Sequence, residues 1–144
     1  MEGKAKKIIR TTNIQKMDTA HLDSILKIEK TSSENFWNRR TFEKHIRTKN
    51  CKALVALRGR VVTGYIAYEL DPVNGTIQIW NLVVASKYRT QGIGRALVAE
   101  LQDLIGCEFD SIHFNVRESN LDSQLFLKKL GFCCNAISRS YFID

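Results

Sequence analysis

The chain has 144 residues, 44% of them hydrophobic, which is enough to bury one core without metals or disulfides but too few for a second domain. Its 22 Lys and Arg residues outnumber its 15 Asp and Glu residues, and the resulting formal charge of +7 favours anionic ligands. The four cysteines show no Cys-x-x-Cys spacing, and no apolar run reaches the length of a membrane span. Composition therefore predicts one domain over residues 1–144, in the reducing cytoplasm, with no metal site and no membrane contact.

The first segment predicts a strand followed by two helices. Lys7–Thr12 is typical of a strand, and Asp18 or Thr19 can cap the helix that follows. That helix carries a single apolar stripe, formed by Leu22, Ile25, Leu26 and Ile28. A polar loop containing Trp37 then leads to a short helix around Arg39–Arg47.

The middle of the chain predicts an antiparallel meander of three strands. The strands are Lys52–Leu57, Val61–Leu70 and Thr76–Val84. They are separated by a tight turn at Gly59 and by a longer turn at Asp71–Gly75, which holds the one proline. From Trp80 to Val84 the third strand is apolar enough to be buried.

A basic, glycine-containing turn joins this third strand to an amphipathic helix. The apolar residues of the helix recur at helical spacing and are Ile93, Leu97, Val98, Leu101, Leu104 and Ile105. The first amides of a helix have no partner within the helix, and the helix dipole adds partial positive charge at that end. Gly92 and Gly94 leave room for an anion to approach these amides, so the turn at 89–95 is a candidate phosphate site. The alternative is that both glycines only open the helix and that Arg89 is a solvated charge.

The last third of the chain predicts a strand, a helix and a final strand. Ser111–Val116 alternates as a strand, and Asn120 is placed to cap the next helix. The apolar face of that helix is predicted to consist of Leu121, Leu125, Phe126 and Leu130, ending at Gly131. Cys133–Ile143 can supply one last strand. The whole pattern predicts an α/β fold with a mixed sheet of six to seven strands flanked by helices.

Two motifs in this order resemble those of the GNAT acetyltransferase superfamily. The first, R/Q-x-x-G-x-G/A, is matched by Arg89, Gly92 and Gly94. The second, N-V-R-x-x-N followed by a helix and K-x-G-F, is matched at 115–120 and at 129–132. Within the superfamily, the chain is most similar to the ribosomal-protein alanine N-acetyltransferase type. The resemblance covers nearly the whole chain and implies the same central sheet, with a parallel strand pair that splays apart.

The resemblance also implies acetyl-CoA as the cofactor. In the family, coenzyme A lies between the third meander strand and its parallel neighbour, with the thioester beside the strand backbone and the pyrophosphate on main-chain donors of the following turn. The positions that match are Leu82, Val83, Val84, Arg89, Thr90, Gln91, Gly92, Ile93, Gly94, Arg95 and Asn120. By residue type alone, Asn120 is equally well explained as a plain helix cap.

The proton-transfer residues of the resembled branch are missing from this chain. That branch uses a glutamate base and a tyrosine acid, and the matching positions here are Asn115 and Leu127. An amide does not accept a proton at neutral pH, and leucine has no polar atom. His113 shares the face of Asn115 by the two-residue period of a strand. The full set of candidate replacements is His113, Tyr141, Tyr68, Glu69 and a water bound by Asn81.

Three readings of this departure stay open. Other groups replace the missing pair, proximity alone gives slow transfer, or the protein binds the cofactor without turnover. The expected acceptor is a primary amine of a protein N-terminus or lysine, with a ribosomal protein among the candidates and small-molecule amines as an alternative. Trp37 and Tyr141 are candidate walls for a peptide. A nucleic-acid partner is disfavoured because the chain has no recognition-helix or RNA-reading motif, and the sequence does not indicate an oligomeric state.

Overall fold

The computed structural model describes residues 12–32, 37–106, 108–115, 121–135 and 140–143, and for 30–32, 121–123, 134–135 and 140–143 it describes the backbone alone. The helices are α1 (Leu22–Ser32), α2 (Arg39–Arg47), α3 (Ile93–Gln102) and α4 (Leu121–Lys129), with 3-10 turns at Thr19–His21 and Ser86–Tyr88. The strands are β1 (Thr12–Lys16), β2 (Cys51–Arg58), β3 (Val61–Asp71), β4 (Thr76–Val84), β5 (Ser111–Asn115), β6 (Cys133–Asn135) and β7 (Ser140–Ile143).

The seven strands form one mixed sheet in the order β1-β2-β3-β4-β5-β7-β6. Strands β1 to β4 pair antiparallel with their sequence neighbours, whereas β4 and β5 pair parallel through the crossover that contains α3. This confirms the predicted α/β fold with a mixed sheet of six to seven strands. The three meander strands are also confirmed, and the turn that contains Pro72 lies between β3 and β4.

The helices cover both faces of the sheet and enclose two hydrophobic clusters. The α3-face cluster includes Ile66, Ile79, Leu97, Leu101, Ile112 and Leu127. The α1-face cluster includes Leu22, Ile25, Phe42, Val55, Tyr65 and Val83. Since burying one such side chain contributes about 2 kcal/mol, each cluster is large enough to hold its helices on the sheet.

A bulge in β4 determines which cluster each of its side chains joins. Ala67 pairs with Asn81 and Tyr68 pairs with Ile79, so the register passes over Trp80. The prediction that Trp80 lies in a buried strand is wrong, because its side chain is 44% exposed and its indole Nε1 donates to the Glu69 carboxylate at 3.1 Å.

The extra residue reverses the alternation of the strand. Before it, Ile77 and Ile79 belong to the α3-face cluster; after it, Leu82 and Val84 pack against that same cluster. Side chains two apart share a face in a regular strand, so the change from odd to even numbers is the direct effect of the insertion. As a result, Asn81, which is buried, lies on the opposite face with Val83.

Several predicted boundaries are corrected. The first strand extends past its predicted end at Thr12 to Lys16, while residues 7–11 of the predicted strand Lys7–Thr12 lie outside the described residues. The single predicted strand Cys133–Ile143 is instead two antiparallel strands, β6 and β7. β7 therefore pairs with β5 on one side and with β6 on the other, and β6 is the edge strand.

The predicted apolar faces of two helices also need correction. In α4 the described Leu125 and Phe126 are 58% and 37% exposed, whereas Leu127 is fully buried. Helix α3 ends at Gln102, which leaves Leu104 in the following turn and 38% exposed. The buried residues of α3 otherwise match the predicted stripe.

The helix starts follow from short polar caps. Asp18, one of the two predicted caps, accepts a hydrogen bond from the amide of Ala20 at 2.8 Å. In return, the amide of Asp18 donates to Nδ1 of His21 at 3.0 Å. Asn38 accepts from the amide of Thr41 at 2.9 Å and begins α2. No helix in the described part of the chain is long and apolar enough to cross a membrane.

Candidate functional site

The turn before α3 has the geometry of an anion cradle. Thr90 and Gly92 both adopt left-handed backbone conformations, with φ of 64° and 82°. A threonine in this region costs about 1–3 kcal/mol, so the surrounding fold must hold it there. The first helical hydrogen bond runs from the amide of Ala96 to the carbonyl of Gly92 at 3.0 Å. The amides of 93–95 therefore precede the helical ladder at the positive end of α3, where Ile93 and Gly94 are buried and Arg95 is exposed.

The two glycines of this turn have different surroundings. A Cβ added at Gly92 would meet no atom within 4 Å, so no side chain fills the space on that side of Gly92. A Cβ at Gly94 would lie 2.6 Å from Cζ of Phe126. Gly92 is thus needed for its backbone conformation, and Gly94 is needed so that α4 can lie against the start of α3.

The two arginines of the turn at 89–95 point their side chains at backbone carbonyls. Nε of Arg89 donates to the carbonyl of Val84 at 3.3 Å, which ties the turn back to the end of β4. Nη2 of Arg95 donates to the carbonyl of Lys129 at 3.5 Å, at the C-terminal end of α4. Both side chains hold the turn in place, and their charges remain beside it.

A third arginine, Arg58, lies beside the turn, whereas the sequence pattern predicts it only as part of the hairpin turn at Gly59. It is the last residue of β2, and its guanidinium carbon lies 5.3 Å from the ring centroid of Tyr88. Its Nη2 donates to Oε1 of Gln91 at 2.6 Å. Its Nε is buried and has no hydrogen-bond partner among the described residues. Nothing in the spacing could have found this contact, because the two residues are 33 positions apart.

The pairing of β4 with β5 ends next to this turn. The parallel register runs from Thr76 with Ser111 to Ile79 with Phe114, while β4 continues to Val84. The predicted cofactor residues Leu82, Val83 and Val84 therefore lie beyond the last described pair. On the other side of β4, Gly64 brings β3 close: a Cβ there would lie 2.8 Å from the carbonyl oxygen of Val83. Among the described residues, the pairing partner of this end of β4 is β3.

Of the candidate proton-transfer residues, His113 and Asn115 lie on the face of the sheet opposite α3, whereas Tyr68 belongs to the α3-face cluster. Glu69 accepts a hydrogen bond from the indole of Trp80. Ile112 and Phe114 of β5 pack in or against the α3-face cluster, so by alternation His113 and Asn115 face the other side. His113 Nε2 and Ser111 Oγ form a hydrogen bond of 2.9 Å. Asn115 is exposed. Leu127, at the position of the family's tyrosine, is fully buried in the α3-face cluster.

The candidate substrate residues are described unequally. Trp37 packs edge-on against Phe42 with ring centroids 5.2 Å apart and lies 5.2 Å from the ring of His45, so its described contacts are packing contacts of α2. Tyr141 pairs with Phe114 in the β5–β7 register, and only its backbone is described. Asn120 lies outside the described residues.

A buried polar network lies under β4 on the α1 side. The Tyr65 hydroxyl donates to Oε2 of Glu29 and accepts from Nδ2 of Asn81 at 3.3 Å. Burial, together with the charge and hydrogen bond of Glu29, raises the pKa of Tyr65. Oε1 of Glu29 is buried without a hydrogen-bond partner among the described residues. The sequence pattern singles out Asn81 but neither Tyr65 nor Glu29, because no periodic pattern distinguishes a buried Glu on a helix.

Fold and site together define a class of single-domain α/β proteins, in which a parallel strand pair ends beside an open, glycine-lined helix start. The family model that matches is that of the GNAT acetyltransferase family, over residues 22–132. The chain belongs to this family. Among curated proteins, none matched the chain in sequence.

Solved structures show the same fold. A ribosomal-protein alanine N-acetyltransferase from Escherichia coli matches with a TM-score of 0.72 at 19% identity, over 91% of this chain and 90% of that one. Arabidopsis thaliana Naa50, in complex with the bisubstrate analogue CoA-Ac-MVNAL, matches with 0.72 at 19%, over 92% and 96%. A putative streptothricin acetyltransferase from Bacillus anthracis, in complex with acetyl coenzyme A, also matches with 0.72 at 19%, over 92% and 96%. At these identities the similarity establishes the fold.

Proposed function

We propose that this protein is an acetyl-CoA-dependent N-acetyltransferase that transfers acetyl directly to a primary amine. The observation that carries the proposal is the open space at Gly92, in the turn that follows the β4 residues beyond the last described β4–β5 pair. Membership of an acetyltransferase family supports the reaction class, and fold neighbours bound to acetyl coenzyme A and to a coenzyme A analogue support the cofactor.

The described residues fit a diphosphate. The amides of 93–95 offer directed donors at a helix start, and no side chain fills the space in front of Gly92. Arg58 adds a guanidinium, and its buried Nε–H donor has no hydrogen-bond partner among the described residues. We assign the diphosphate to these groups, with Thr90 to Arg95 as the main-chain cradle. The edge of 82–84 then receives the pantetheine arm.

When bound, acetyl-CoA supplies an activated acetyl thioester, so no acyl group need be attached to the protein. A backbone amide at or near Val84 is proposed to stabilise negative charge on the thioester oxygen. The acceptor ammonium must lose a proton before it can attack. His113 and Asn115 are the candidates to receive or guide that proton, because both lie on the face opposite α3; Tyr141, across from Phe114, is the third candidate.

The proposed acceptor is a protein N-terminus or a lysine side chain. Two fold neighbours are named for protein N-terminal substrates or carry a peptide analogue, which supports this class over small amines. A third neighbour is named for streptothricin, so small-molecule amines are the alternative acceptor.

The test combines binding with turnover. Isothermal titration with acetyl-CoA should show saturable binding, and thiol release should appear when N-terminal peptides, lysine peptides or small amines are added. A peptide library that varies the first residue defines the acceptor. Absence of acetyl-CoA binding would refute the proposal outright.

A second candidate function is cofactor binding without turnover, as in a regulatory or partner protein. The observation that favours it is Leu127, which is fully buried where the resembled branch has its tyrosine. In that case the wild type would bind acetyl-CoA and release no thiol with any amine. Asn115→Glu is the sharper restoring variant, because a tyrosine at 127 would overpack the α3-face cluster at a cost of about 1–3 kcal/mol.

A further inference from the structure

We infer that Asn81 binds the acceptor amine, and that Glu29 and Tyr65 are positioning residues that fix the orientation of its side-chain amide. The inference rests on the proposed function and deepens it by naming the group that receives the amine. The juxtaposition that carries it is a hydrogen-bonded chain from α1 through β3 to β4, which ends beside the last β4–β5 pair.

The chain of hydrogen bonds has a fixed direction. The Tyr65 hydroxyl donates its one proton to Oε2 of Glu29. The raised pKa of Tyr65 keeps that hydroxyl protonated at neutral pH, and no other charged side chain among the described residues contributes to the shift. With its only proton committed to Glu29, the Tyr65 oxygen can only accept. Asn81 must therefore turn its NH2 group, and not its oxygen, towards Tyr65.

The amide oxygen of Asn81 therefore takes no part in the bond to the Tyr65 hydroxyl. Ala67 of β3 pairs with Asn81 on one side, and on the other side β4 has passed its last described pair with β5, at Ile79. We infer that the amide oxygen serves the side of β4 that lies beyond this pair. An oxygen acceptor at this point is suited to the N–H groups of an ammonium ion.

Burial separates the group that touches the amine from the groups that support it. Glu29 and Tyr65 are both 0% exposed, whereas Asn81 retains 6%. The bulge at Trp80 is what brings Asn81 to the α1 face at all. Asn81 is therefore the substrate-contacting member, and the other two act through it.

Burying the Glu29 carboxylate has a free-energy cost that a purely structural role does not explain. A buried carboxylate costs several kcal/mol unless it is fully paired, and Oε1 of Glu29 has no partner among the described residues. The neighbours in the α1-face cluster are apolar, for example Ile25 and Phe42. An apolar side chain at 29 would pack there without the cost, so the fold alone does not explain the carboxylate.

The decisive variant is Glu29→Gln, which keeps the shape but can donate as well as accept. Tyr65 is then free to point its proton at Asn81, and the amide can turn its NH2 towards the ammonium. We expect kcat/KM for the amine to fall about 10-fold, mainly through KM, with unchanged affinity for acetyl-CoA. Asn81→Leu removes the acceptor and should lower it about 10- to 100-fold. Tyr65→Phe should act in the same direction as Glu29→Gln.

The matched control is Asp23→Asn, which makes the same carboxylate-to-amide change on the same helix at an 85% exposed side chain. It should leave both substrates unaffected. Retained acetyl-CoA binding shows that each variant has folded, and Tyr65→Phe substitutes for Glu29→Gln if that variant fails this check. If the wild type turns over and amine KM is unchanged in the folded variants, or if both substrates weaken equally, the inference is wrong. A wild type without turnover would instead refute the proposed function.

Discussion

The turn before α3 and the α1 face of β4 and β5 differ in what they are made of. The turn offers main-chain amides, and its two glycines, Gly92 and Gly94, contribute to it because they have no side chain. The α1 face offers side chains: His113, Asn115 and the network of Glu29, Tyr65 and Asn81. A main-chain site needs the same few residue types wherever it occurs, whereas a side-chain site can be rebuilt from different groups. In the resemblance drawn from the sequence, the turn matches the family motif, and the two departures, Asn115 and Leu127, are both side-chain positions.

The largest expected effect tests the main-chain site, which is the turn before α3. Gly92→Val places a β-branched residue at φ 82° and puts methyl groups into the open cradle. Acetyl-CoA affinity should fall about 100-fold by titration calorimetry, or about 2.7 kcal/mol. Gly106→Val is the matched control, since Gly106 also has positive φ and open surroundings but lies beyond the other end of α3. Equal loss of binding in both variants would mean that strain, rather than the cradle, explains the result.

The next effect concerns how α4 is held against the turn. Gly94→Ala puts a methyl group 2.6 Å from the Phe126 ring, which must move, and the free energy of unfolding should fall by about 1–3 kcal/mol. Phe126→Leu alone should cost less, because the ring is 37% exposed. In a double-mutant cycle by urea unfolding, the second change should relieve most of the first. Strict additivity would show that the two side chains do not meet.

A smaller effect is expected from the arginine that the motif does not contain. Arg58→Ala should weaken acetyl-CoA binding about 10-fold, or about 1.4 kcal/mol, and reduce its salt dependence. Arg60→Ala is the matched control, because Arg60 is exposed in the same hairpin. An equal decrease in both would indicate a general effect of charge instead of a contact with the ligand.

The smallest effect concerns the side-chain site on the α1 face, and it changes stability only at alkaline pH. The folded pKa of Tyr65 is raised, so this hydroxyl is neutral in both states below its unfolded pKa of about 10. Above that pH the unfolded chain loses the proton first, and stability should fall by up to about 1.4 kcal/mol per pH unit. Tyr65→Phe should show a correspondingly shallower decrease in urea unfolding between pH 9 and 11. Identical slopes would mean that the hydroxyl is not buried as described.

The predictability of the fold follows the same division. Period-two alternation and turn residues located β2, β3 and β4, and the apolar stripe with its entry glycine located the start of α3 at Ile93. Local patterns could not reveal the bulge at Trp80, because an inserted residue looks like one more apolar strand position. The division of 133–143 into two strands depends on tertiary pairing with β5, which no local window contains.

The candidate site was predictable where one segment of chain forms it. The turn at 89–95 was located because its residues are consecutive. Arg58 and Glu29 were not, since their partners lie 33 and 36 positions away and meet only after the sheet has formed. Whether His113, Asn115 or Tyr141 moves the proton stays a prediction, as does the role of Asn120.

Trp80 has a further consequence for how this sheet can change. Trp80 is one extra position between the pairs Tyr68–Ile79 and Ala67–Asn81, which follow each other directly on β3. Deletion of Trp80 would therefore leave Ile79 and Leu82 facing α3 and Asn81 on the opposite face, and would remove only the indole and its hydrogen bond to Glu69. Residue 80 is thus a place where this strand can lose a residue while the side chains that follow keep their faces.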